Sequence, residues 1–150
     1  MKLAEALLER SDAEKKFESL KNRISRNAVV QEGDKPHEDP NKLMKEAVGV
    51  LNMIEKLVAR INAANLRSKL PDGRTLTEAL AHRDKLAEQH AVINAAIEGS
   101  QNEQARYGMS EIKWVATVDV AKLQKQLEDI AKQIREINAR IQEANWQVEV

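Results

Sequence analysis

The chain has 150 residues, about one domain's length, and is 42% hydrophobic, 32% charged and only 3% aromatic, a mix suited to long helices packed through aliphatic side chains. Its 24 basic and 24 acidic residues cancel, which argues against nucleic acid as a partner, and the lack of cysteine excludes disulfides and zinc–thiolate sites. No run approaches the ~20 apolar residues of a membrane span or resembles a signal peptide, so the expected setting is cytoplasmic and a membrane partner is not expected.

In chain order, a first helix is predicted from about Lys2 to about Arg26. Its inner stripe is Leu3, Ala6, Arg10, Ala13, Phe17, Leu20 and Ile24, with Arg10 interrupting the apolar rhythm. Gln31 to Pro40 carries glycine, two prolines and charges and reads as a surface loop. Asp39 before Pro40 suits a helix start. The second helix carries an unbroken seam, Leu43, Ala47, Val50, Ile54, Leu57, Ile61 and Ala64, whose 4–3 spacing keeps one stripe on one side, as in coiled coils and antiparallel bundles.

Leu70-Pro71-Asp72-Gly73-Arg74 reads as a turn, and Thr75 with Glu78 matches a capping box at the start of a third helix. That helix runs to about Glu98 on the stripe Leu76, Ala79, Arg83, Leu86, His90, Ile93 and Ile97. Beyond Gly99-Ser100 the period falls to two. Ile112, Trp114, Ala116 and Val118 alternate with their neighbours, which predicts a strand. Asp119 is placed to cap a fourth helix with a second clean seam, Val120, Leu123, Leu127, Ile130, Ile134, Ile137, Ile141 and Ala144. The chain closes on another alternating stretch, Trp146 to Val150. A lone strand cannot satisfy its backbone, so Ile112–Val118 is expected to pair with Ala28–Gln31 or Trp146–Val150. The expected fold is mainly α: a single domain over residues 1–150, an antiparallel bundle of four long helices with a small β-sheet element at one end.

Candidate binding residues are the breaks in this pattern. Arg10, Arg83 and His90 fall where a core is due. Either the arginines reach water or pair with carboxylates of a neighbouring helix, fixing register, or the three line a polar pocket for an anion. Arg106, Tyr107 and Trp114 gather arginine and aromatic residues near the predicted sheet, the residue types that dominate interfaces. No catalytic residue emerges. No Gly-x-Ser-x-Gly elbow, phosphate-binding glycine loop or Glu-x-x-His pair occurs, so neither a metal nor a cofactor is expected.

Several strings together resemble a known bacterial family. They are Lys2-Leu3-Ala4-Glu5-Ala6-Leu7, the Val30–Pro40 loop, Arg60-Ile61-Asn62, Asp72-Gly73-Arg74-Thr75-Leu76-Thr77, Arg83-Asp84, Arg106-Tyr107 with Ser110-Glu111-Ile112-Lys113, and Ile141-Gln142-Glu143-Ala144-Asn145-Trp146. In this combination the chain is similar to the septicolysin-like family of small helical proteins. The family label implies a membrane-active cytolysin. The residues carry neither an export signal nor a spanning segment to support that implication. The expected role is a non-enzymatic binding or assembly protein with itself as partner, a homo-oligomer. The alternatives are a small-molecule or anion site built on the polar seam residues, and the cytolytic activity of the label.

Overall fold

In a computed structural model that describes residues 1–101 and 112–150, the chain is mainly α. Its helices are α1 (Leu3–Asn27), α2 (Pro40–Arg67), α3 (Leu76–Ser100) and α4 (Val120–Gln147). The residues group into two compact units. Unit 1 comprises Met1–Ser68 with Ala144–Val150, and unit 2 comprises Lys69–Glu143.

In unit 1, α1 and α2 run antiparallel. Ala13 and Leu20 of α1 meet Leu43, Ala47 and Val50 of α2 in a core against which Phe17, Ile24 and Ile54 pack. These are seam positions, so the 4–3 spacing correctly marks the buried stripes of both helices. Lys16 pairs with Glu46 at 2.8 Å farther along the same interface. Asp39 starts α2 as its sequence implies: its Oδ1 accepts from the Asn41 N–H at 2.9 Å, and Pro40 takes the first helical position. At the end of α1 the Asn27 side chain donates to the Arg23 carbonyl at 2.8 Å and accepts from the Glu38 N–H at 3.1 Å, tying the loop down.

The predicted sheet does not form. Residues 112–118 contain no strand, and Ile112, Trp114 and Val115 are 80%, 73% and 80% exposed. Ala28–Gln31 forms no ladder either. The closing residues pair instead with the opening ones. The Leu3 N–H donates to the Val148 carbonyl at 2.8 Å and the Val150 N–H to the Met1 carbonyl at 2.9 Å, giving a single antiparallel bridge between Lys2 and Glu149. Alternation specifies which residues share a face of a strand, not that an edge is available to pair with it.

Unit 2 opens with a small hairpin. The Leu70 N–H donates to the Arg74 carbonyl at 2.7 Å and the Gly73 N–H to the Leu70 carbonyl at 2.9 Å, enclosing Pro71-Asp72-Gly73. Gly73 stands at φ +88°, the left-handed region that a closing glycine supplies without steric cost. Thr75 and Glu78 form the expected capping box: Thr75 Oγ1 accepts from the Glu78 N–H at 3.1 Å, and Glu78 Oε2 accepts from the Thr75 N–H at 2.7 Å. Leu76, Ala79, Leu86 and Ile97 are the buried positions of α3, and Ile130, Ile137 and Ile141 the buried hydrophobic ones of α4. Asp119 Oδ1 accepts from the Lys122 N–H at 3.2 Å, so the predicted cap of α4 is in place. Val120, Leu123, Leu127 and Ile134, also seam positions, remain half-buried.

Candidate functional site

Four of the six sequence-derived residues, Arg10, Arg83, His90 and Trp114, lie among the described residues. Arg10 lies in unit 1, where its Nε is 3.4 Å from Glu14 Oε1 one turn along α1. That nitrogen is buried and out of hydrogen-bond geometry, so the pairing is ionic only. Arg83, in unit 2, donates from Nε and Nη2 to Asp84 Oδ1 at 3.2 and 3.1 Å. Both arginines are part-exposed and take their carboxylate from their own helix, not from a neighbouring one as a register-fixing role requires. Trp114 is open to solvent, and Arg106 and Tyr107 lie outside the described residues.

His90 stands apart. It lines a groove of about 320 Å³ between α3 and α4 with Ala87, Ala131, Ile134 and Arg135. On the other side of the same helix pair lies a smaller and more polar depression of about 170 Å³, bordered by Arg74, His82, Gln133, Glu136, Ile137 and Arg140. A helix advances 100° per residue, which puts Ala131, Ile134 and Arg135 on one flank of α4 and Gln133, Glu136 and Arg140 on the opposite one. The polar side is internally neutralised. Asp72 accepts from the Arg74 N–H at 3.1 Å and from Arg74 Nε at 3.0 Å, and lies 3.7 Å from Arg140 Nη1. The groove at His90 has no such acid: the neighbours of Arg135 at helical spacing are Ala131, Lys132, Asn138 and Ala139. The absence of a carboxylate three or four residues away is readable in the sequence, but Arg135 shares it with Arg23, Arg26, Arg60, Arg67 and Arg83, so the sequence alone does not mark Arg135.

A second concentration of charge holds the tail of unit 1. Glu149 pairs with the N-terminal ammonium at 3.0 Å and with Lys2 Nζ at 2.6 Å. Arg60 donates to the Val150 carbonyl at 2.8 Å and Arg67 to the Glu149 carbonyl at 2.6 Å. Hydrogen bonds from Lys2 and the N-terminus hold the Glu149 carboxyl below the usual carboxylate range. Both arginines escaped the sequence reading because their acceptors are backbone carbonyls, which leave no charge pattern to find.

Among the described residues no group of three or more His, Cys, Asp or Glu side chains could hold a metal ion. No described helix is long and apolar enough to cross a membrane.

Comparison with known proteins places these features. The model of a family of unknown function, DUF6847, matches residues 10–150. A crystal structure of a functionally unknown conserved protein from Corynebacterium diphtheriae superposes with a TM-score of 0.92 at 37% identity, over 100% of this chain and 98% of that one. No curated protein matches. The resemblance to the septicolysin-like family is thereby corrected: the matching family model is DUF6847, and the solved structure is of a conserved protein of unknown function. Short strings such as Asp72-Gly73-Arg74-Thr75 are demanded by turn and cap chemistry, so sharing them identifies a local structure more than a lineage.

Proposed function

We propose, for a chain that belongs to the family of unknown function DUF6847, a non-enzymatic role in binding and assembly, with a second copy of the same chain as its partner. The observation that carries this reading is an exposed apolar stripe on α2. Met44, Val48 and Leu51 follow one another at the 4–3 spacing, away from the buried seam, and are 46%, 56% and 43% exposed. A helix face of this kind remains apolar toward water unless another surface covers it.

Charge placement favours a copy of α2 as the cover. Lys45 and Glu55 stand at equal distances on either side of position 50. An antiparallel two-fold pairing therefore sets Lys45 of one copy against Glu55 of the other twice, with Val48 and Leu51 at the centre. Two α1–α2 hairpins joined in this way make an antiparallel four-helix bundle between chains. The setting we assign is the cytoplasm, where a chain without cysteine forgoes no disulfide.

Solution mass by light scattering tests the reading. The expected species has twice the 16.9 kDa of one chain. Val48→Glu with Leu51→Glu is expected to give a helical monomer by mass and circular dichroism. A wild-type chain still monomeric at concentrations on the order of 100 µM, well above micromolar dissociation constants, overturns it.

A further inference from the structure

The groove at His90 and Arg135 has features that self-association through α2 does not use. Its floor is aliphatic: Ala87 from α3, and Ala131 and Ile134 from α4. Ile134 belongs to the α4 seam and is nevertheless only half-buried. The two alanines keep the floor low, because larger side chains at 87 and 131 would fill the space. The volume of about 320 Å³ falls within the range of small-ligand clefts.

The rim is cationic and uncommitted. Among the described residues neither the His90 nor the Arg135 side chain makes a hydrogen bond or ion pair, no acid stands three or four residues from Arg135, and the adjacent Glu136 borders the depression on the opposite flank. Asp84, three residues before Ala87 on α3, is engaged by Arg83. A guanidinium presents a fork of N–H donors matched to a carboxylate, and an imidazole adds one more donor.

We propose that this groove binds a small carboxylate with an apolar body, of the medium-chain fatty-acid class. The chain lies on Ala87, Ala131 and Ile134, and the carboxylate faces Arg135 and His90. Aliphatic contact supplies the burial, and the charged head fixes the orientation. Arg135→Gln removes the charge while keeping a polar side chain at an exposed position, so the fold is retained. Ala131→Leu fills the floor with the charges intact.

The probe is octanoate, with 1-octanol as the uncharged control, followed by amide chemical shifts and titration calorimetry on the full chain. Octanoate is expected to shift the amides around Ala87, His90, Ala131, Ile134 and Arg135. Arg135→Gln is expected to weaken it about tenfold, as loss of a hydrogen bond to a charged group does, and Ala131→Leu to abolish it. Octanol is expected to bind at least tenfold more weakly than octanoate. Shifts centred on Met44, Val48 and Leu51, equal binding of octanol, or insensitivity to Arg135→Gln would each overturn the proposal. So would a change in solution mass on Ala131→Leu, which would mark the groove as a helix-docking face.

Discussion

Arg23 grips Glu38 with both prongs of its guanidinium across the connection between α1 and α2. Nε donates to Glu38 Oε2 at 2.9 Å and Nη2 donates to Oε1. The hydrogen bond from Arg23 holds the Glu38 carboxyl below its usual range, and Lys16 does the same for Glu46. Asp72 and Glu78 are lowered chiefly by the backbone N–H groups of Arg74 and Thr75. Each of these carboxylates favours the folded state when ionised.

A depressed folded-state value means that this stability is complete above the unfolded carboxylate value, near 4.5 for glutamate, and is lost as pH falls through the lower folded value. The thermal midpoint is therefore expected to hold from neutrality to about pH 5 and to decline below it. Glu38→Gln is expected to melt lower at neutral pH and to converge on wild type in acid. Circular dichroism melts across this range check the point, and parallel curves for the two proteins would refute it.

Leu20 is fully buried at the centre of the α1–α2 core. Leu20→Ala is expected to cost about 2–5 kcal/mol, the sum of lost transfer energy and the cavity left behind. Urea unfolding followed by helicity measures it. A loss of less than about 1 kcal/mol would mean that the hairpin collapses readily around the gap.

Gly73 has open space where a Cβ would stand, so only its φ of +88° constrains it. Gly73→Ala is expected to lose about 1 kcal/mol, and Gly73→Asn less, because asparagine tolerates the left-handed region. Equal denaturation midpoints for the two variants would show that the loop re-forms with another geometry.

Arg67 holds the tail through the Glu149 carbonyl. Arg67→Met is expected to speed hydrogen exchange at the Leu3 and Val150 amides roughly fivefold, the factor that follows from one lost hydrogen bond to a local opening equilibrium. Amides at the centre of α2, such as Val50, serve as the unaffected reference. Uniform acceleration would indicate global rather than local destabilisation.

The helices were legible because each was specified more than once. Asp39-Pro40 and Thr75–Glu78 fixed two starts by capping chemistry, and the seams from Leu43 and Val120 fixed the inward faces. The strand at Ile112–Val118 rested on alternation alone, and nothing in a single segment reports whether a partner edge exists. Arg10 and Arg83 were marked by position as misfits, but Glu14 and Asp84 stand beside them in sequence and account for their charges. His90 had no such neighbour, and it is the seam break that borders a groove.

The division of the chain has a consequence for the order of folding. Unit 2 is one continuous stretch, Lys69–Glu143, whereas unit 1 needs its first residues and its last. Every partner within unit 2 is present before Ala144 is synthesised. The bond from the Leu3 amide to the Val148 carbonyl closes a loop that contains all of unit 2, and the entropy of that closure falls if the intervening segment is already compact. If unit 2 folds first, it shortens the search by which the two ends of the chain find each other, and destabilising it would then slow the completion of unit 1.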